Sequence, residues 1–303
     1  MPLPLPDPDA SGFTTSTAVP LYWAAYGTGD AERALVLHGG PGADHLYLLP
    51  QMRRLGETGG TRQLLFYDQR GGGRSRTDDR TPVTWRTHVN DLGAVIGELL
   101  PAGEPLLLVG YSWGGLLALL YVIEAARDER LVRPATLVLI DPAPVTRDYR
   151  RRFEEEFARR QQGPAVQALR DELAASGLRE RDPDGYRQRA FELSVAGYFA
   201  DPRLARELTP FRVVGRVQQS VWQSLGDHDL RADLAAAFAV LDCRTLVVHG
   251  REDPIPLASS EDVARAAGAE LVTLDGCGHV PYVERPDELF AALGAFLAPA
   301  PRR

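Results

Sequence analysis

Few residues in this chain have both the type and the setting for covalent chemistry, and the foremost is Ser112. Gly110-Tyr111-Ser112-Trp113-Gly114 places it in a G-x-S-x-G pattern, extended by Gly115. Glycines there let the chain turn sharply enough to expose one hydroxyl at a helix N-terminus. Such a hydroxyl is a weak nucleophile until a base takes its proton and a third group orients that base. His279, in Gly276-Cys277-Gly278-His279-Val280, fits the base. Asp253, in Gly250-Arg251-Glu252-Asp253-Pro254, fits the orienting acid, giving the chain order Ser, Asp, His. Asp141, also followed by proline, is the rival acid, and His38 and His249 read as structural. Attack on a carbonyl also needs donors for the oxygen that becomes negative. His38-Gly39-Gly40-Pro41-Gly42 offers the amide of Gly40, and the elbow offers that of Trp113, as an oxyanion hole.

Elements that must hold these groups are legible around them. Ala34–Leu37, Leu64–Tyr67, Leu106–Val109, Thr136–Ile140, Thr245–Val248 and Glu270–Leu274 are short apolar runs, the pattern of strands buried on both faces. Helical patterns over Leu46–Leu55, Trp85–Leu100, Leu116–Ala126, Ser259–Ala267 and Pro286–Leu297 make these a mostly parallel α/β sheet with helices on both faces. Phe13–Thr17 and Leu21–Tyr26 read as an antiparallel pair at one sheet edge. Every proposed functional group then falls just after the C-terminal end of a strand. Residues 142–236 turn helical and charged without a convincing strand, which predicts an inserted helical cap over a core made of 1–141 and 237–303. In it, Arg150, Arg151 and Arg152 stand four residues before Glu154, Glu155 and Glu156, the spacing of a solvated helix face.

Composition excludes much else. The net charge of −7 gives no broad basic field for nucleic acid or an anionic membrane, and no run approaches the length of a membrane span. All 34 basic residues are arginine, so no Schiff-base lysine, phosphate-loop lysine or Ser-Lys dyad exists. Two cysteines, Cys243 and Cys277, fit neither a disulfide framework nor a zinc site and read as free thiols of a cytoplasmic protein. Cys277, two residues from the expected base, suggests sensitivity to bulky thiol reagents. The Pro-rich start, Met1 to Asp9, lacks the basic and apolar regions of a signal peptide. No cofactor and no metal are expected.

Three motifs together resemble the proline iminopeptidase group of α/β-hydrolases: His38-Gly39-Gly40-Pro41-Gly42, Asp68-Gln69-Arg70-Gly71-Gly72-Gly73-Arg74-Ser75 and Gly110-Tyr111-Ser112-Trp113-Gly114-Gly115. Asp253 and Gly278-His279 stand where that group carries its acid and base. The resemblance implies an α/β-hydrolase fold with a helical lid, and metal-free removal of N-terminal proline from small peptides. Such an enzyme must hold a free α-ammonium. Similar enzymes carry a glutamate just before a Tyr-Phe pair in the lid, whereas this chain reads Val195-Ala196-Gly197-Tyr198-Phe199. Glu192 and Glu207 are the carboxylates left to serve, with Tyr198 beside them in the substrate site.

The expected reaction is attack by Ser112 on a carbonyl, proton shuttling by His279 and hydrolysis of an acyl-enzyme. An exopeptidase for short peptides comes first, a carboxylesterase or lactonase for small acyl substrates second. A non-catalytic ligand-binding homologue comes third.

Overall fold

The apolar runs form β1 (Ala10–Phe13), β2 (Tyr22–Tyr26), β3 (Glu32–Leu37), β4 (Arg62–Tyr67), β5 (Leu106–Tyr111), β6 (Pro134–Ile140), β7 (Arg244–Gly250) and β8 (Glu270–Leu274) in a computed structural model that describes residues 4–28, 32–77 and 81–298. They make one sheet in the order β1-β2-β4-β3-β5-β6-β7-β8. The β1–β2 and β2–β4 pairs are antiparallel, and all the others are parallel. The first strand lies earlier than the expected Phe13–Thr17. The amides of Thr15 and Ser16 donate to the Glu98 carboxylate instead of to a neighbouring strand. Met1–Leu3 lie outside the described residues.

Side chains alternate strictly along the central strands. Leu35, Leu108, Leu139 and Val247 are buried on one face, against α1 (Trp85–Leu99), α2 (Trp113–Arg127) and α9 (Leu257–Ala267). Val36, Val109, Ile140 and Val248 are buried on the other, against α10 (Pro281–Glu284), α11 (Pro286–Leu297) and the segment Tyr47–Leu55. Each such side chain contributes roughly 1.5–3 kcal/mol, which is why the strands read as unbroken apolar runs.

The expected helix Leu46–Leu55 is instead two 3₁₀ helices, Leu46–Leu48 and Gln51–Gly56. Pro50 between them has no amide hydrogen to continue a helical ladder. Between β6 and β7 lie α3 (Arg147–Gln161), α4 (Pro164–Ala175), α5 (Leu178–Arg181), α6 (Pro183–Val195), α7 (Gly215–Leu225) and α8 (Arg231–Phe238). Leu234 and Ala237 of α8, like Val217 and Val221 of α7, pack in the same buried cluster as Val263 of α9. On α3, Arg150 and Arg151 pair with Glu154 and Glu155 on an exposed face, as the spacing predicts.

Candidate active site

Ser112 follows the last residue of β5 and caps α2 with φ 53° and ψ −120°, a backbone state that costs about 1–3 kcal/mol and persists only where neighbours enforce it. Those neighbours leave no room for side chains. A β-carbon on Gly110 would fall 2.6 Å from the Gly114 carbonyl oxygen, and one on Gly114 would fall 2.2 Å from the Leu37 carbonyl oxygen. The Ser112 amide donates to the Ile140 carbonyl at 3.0 Å, locking the elbow to β6.

His279 reaches back over the sheet from the loop after β8. Its Nε2 lies 2.9 Å from Ser112 Oγ and its Nδ1 lies 2.7 Å from Asp253 Oδ2. With a carboxylate on Nδ1, that nitrogen carries the hydrogen and Nε2 accepts from the serine. Burial lowers the imidazole to about 4, so it stands neutral and ready to take a proton. Asp253 also accepts the Ile255 amide at 2.7 Å. The rival Asp141 does not contact the imidazole; its Oδ1 accepts the Gly250 amide at 2.8 Å. Burial, and then the neighbouring Asp253, push Asp141 well above the usual carboxylate range. Burial raises Asp253 as well, but the hydrogen bond from Asp141 and the Ile255 amide pull it back down, so of the pair Asp141 keeps its proton and Asp253 carries the charge.

His38 and His249 are fully buried pins. His38 accepts the Gln69 amide at 3.0 Å through Nε2, and His249 lies 3.1 Å from the Ile255 carbonyl through Nε2. Burial lowers each of them to about 4.

Gly40 lines the same cavity as Ser112, and Trp113 is the residue that follows the serine. Trp113 opens α2, where an amide has no helical acceptor. Gln69 braces both arms: its Nε2 donates to the His38 carbonyl at 2.8 Å and its Oε1 accepts the Trp113 indole N–H at 2.7 Å. This bracing role was not read from the sequence, although Gln69 lies inside one of the three motifs. Trp113 is itself 1% exposed and packs on His88 and Trp222, so its ring belongs to the core and not to a pocket wall.

A family model described as the alpha/beta hydrolase family matches residues 34–293. The chain belongs to that family. Among curated proteins, a proline iminopeptidase of Lactobacillus delbrueckii subsp. lactis is 39% identical over 98 residues, 31% of this chain. That match spans about a third of the relative's length, 32%. A proline iminopeptidase of Thermoplasma volcanium is 25% identical over 283 residues, covering 88% of this chain and 89% of the relative. Among solved structures, a carboxylesterase of Nitrososphaera gargenis superposes with a TM-score of 0.66 at 18% identity, covering 95% of this chain and 97% of the other. At that identity the likeness is one of fold.

At the C-terminal ends of the parallel strands lies a cavity of about 380 Å³. Ser112, His279 and Gly40 line it together with Tyr47, Phe157, Phe191, Val195, Tyr198 and Phe211. Tyr198 lines the cavity too, its ring stacked on His279 with centroids 5.2 Å apart. Glu192 and Glu207 do not line this cavity. The Glu192 carboxylate turns to Arg189 and accepts from Gln188, on the far side of α6, because a buried carboxylate requires a partner and the cavity offers none. No Asp or Glu is among the described residues that line it. Cys243 and Cys277 are free and buried; burial pushes the Cys277 thiol far up, so a bulky reagent neither reaches it nor finds a thiolate. Among the described residues no helix is long and apolar enough to cross a membrane.

Proposed function

We propose that this hydrolase works through Ser112, His279 and Asp253 on small, uncharged acyl substrates, as a carboxylesterase or lactonase. The observation that carries the reading is one continuous line of hydrogen bonds, Asp253 to His279 to Ser112, ending in a cavity with no carboxylate among the described residues that line it.

As Ser112 Oγ bonds to the carbonyl carbon, its proton passes to His279 Nε2, and the negative Asp253 stabilises the imidazolium. The carbonyl oxygen takes the displaced electron pair and is met by the amides of Gly40 and Trp113, worth several kcal/mol together. Collapse expels the alcohol, which leaves with the proton from His279. Water then repeats the sequence on the acyl-enzyme and restores the serine. Residues 142–236 act as the cap that closes this cavity over the core. Buried, unpaired cysteines are in keeping with a cytoplasmic enzyme.

An exopeptidase acting on free N-terminal residues is the second reading, favoured by the proline iminopeptidase relatives. It ranks below the first because an α-ammonium brought into this cavity would meet aromatic and aliphatic walls without a counter-charge. The test is kcat/KM for a p-nitrophenyl ester, prolyl-p-nitroanilide and its N-acetylated form, with Ser112→Ala as the blank. Ester hydrolysis at least a hundredfold faster than the free prolyl amide is expected. Fast cleavage of the free amide that acetylation suppresses would reverse the order of the two readings.

A further inference from the structure

Tyr47 stands beside the serine without a part in the chemistry described so far. Its ring is nearly fully buried, held in the 3₁₀ helix Leu46–Leu48 and packed on Phe211 with centroids 4.4 Å apart. Its hydroxyl oxygen accepts the Gly39 amide at 2.6 Å. A β-carbon on Gly39 would lie 2.8 Å from that oxygen, 2.8 Å from Ser112 Cβ and 3.3 Å from Ser112 Oγ. The Tyr47 hydroxyl and the Ser112 side chain therefore close on the same side of Gly39, and both residues line the cavity. Gly39 has to be glycine because a β-carbon would collide with both.

The proton of the Tyr47 hydroxyl has no acceptor among the described residues; the oxygen only accepts, from Gly39. Burial pushes the phenol well above its ordinary value, so the group keeps that proton at any working pH. A phenol that accepts an amide hydrogen bond is also polarised into a stronger donor. A donor of this kind, buried beside a nucleophile and unused by the protein, suits an oxygen of the bound reactant.

We propose that the Tyr47 hydroxyl is a third oxyanion donor, a catalytic residue that joins the amides of Gly40 and Trp113 at the tetrahedral carbon. The proposal rests on the serine-hydrolase reading above. During attack the carbonyl oxygen gains its charge in the cavity that Ser112 and Tyr47 both line, and the phenol hydrogen closes on it. No bond of Tyr47 breaks, and no proton is transferred from it.

Tyr47→Phe keeps the ring and removes only the hydroxyl. Against a p-nitrophenyl ester, kcat is expected to fall by about a hundredfold, as for other single oxyanion donors, with KM within twofold of the wild type. Affinity for an alkylboronic acid, which forms a tetrahedral adduct on serine, should fall by the same factor as kcat. A fall in kcat without loss of boronic acid affinity would overturn the proposal and leave Tyr47 as a prop for Gly39. Unchanged kcat would overturn it as well. Should Tyr47→Phe not fold, 3-fluorotyrosine at position 47 keeps the shape and acidifies the phenol; unaltered boronic acid affinity would then reject the donor. Labelling of the wild type by a fluorophosphonate, absent in Ser112→Ala, separates the two levels of argument. With labelling intact the outcome bears on Tyr47 alone, and without it the serine-hydrolase reading falls first.

Discussion

Val195→Glu should convert the cavity from one that accepts neutral acyl groups to one that reads an amine. Val195 ends α6, lines the cavity beside Tyr198 and is 6% exposed, so a carboxylate there would face the space above Ser112 with little water around it. A charge-assisted hydrogen bond to a substrate ammonium contributes about 1.5–3 kcal/mol, or roughly 10- to 100-fold in kcat/KM. The carboxylate also costs stability when the cavity is empty, and burial raises its pKa. Its preference for amines should therefore be present above that raised pKa and vanish as the pH falls through it. The assay is the ratio of kcat/KM for prolyl-p-nitroanilide to that for the N-acetyl form, in Val195→Glu and wild type, between pH 6 and 9, with ester hydrolysis as proof of a working serine. A folded, ester-active variant with an unchanged ratio at every pH would refute the claim that this wall decides between amine and neutral substrates.

Two other outcomes test the acid and the base. Asp253→Asn should lower kcat on the order of 10⁴-fold by leaving His279 in the wrong tautomer, whereas Asp141→Asn, which replaces one neutral donor by another, should stay within tenfold of wild type; steady-state kinetics on a p-nitrophenyl ester decides, and the reverse pattern would transfer the acid's role to Asp141. Because His279 must be neutral to act and burial lowers it to about 4, activity should persist as the pH falls through 6.5 and fail nearer 4. His38 and His249, both lowered to about 4 by burial, work in the same direction on stability: the unfolded chain binds protons that the native one does not, so stability held above pH 6.5 drains away as the pH falls, by on the order of 1–3 kcal/mol per histidine by pH 4. Urea denaturation at pH 7 and pH 5 reads that slope, and a flat result would contradict it.

What could be read in advance follows from how strongly each feature is tied to its neighbours in sequence. Ser112, His279 and Asp253 each sit just past an apolar strand, so locating the strands also located the residues; the structure brings all three together at the sheet's C-terminal edge. Position within the helical segment was not legible in the same way. Glu192 shares its helix with Val195, yet one faces Arg189 and the other the cavity. Helical periodicity gives relative angles around an axis but not which side the axis turns to the core. Tyr47 escaped notice for a related reason: it follows the Gly-rich loop within an apolar stretch, and only packing shows its hydroxyl returning to Gly39. The break at Pro50 was visible in the sequence, but the apolar rhythm on both sides concealed it.

One carboxylate decides how the helical segment can move. Glu284 receives the amides of Ala200, Gly278 and Val280, while the His279 amide donates to the Tyr198 carbonyl at 2.7 Å. The turn that leaves α6 and the loop that carries the imidazole are thus riveted into one mechanical piece. Any breathing that lifts the segment along this edge drags His279 away from Ser112, so a gate here would switch the site off each time it opened. Substrate traffic is thereby confined to motions that leave this seam closed, and the amides of Ala200, Gly278, His279 and Val280 should lose their hydrogens to deuterated solvent together, as one cooperative unit.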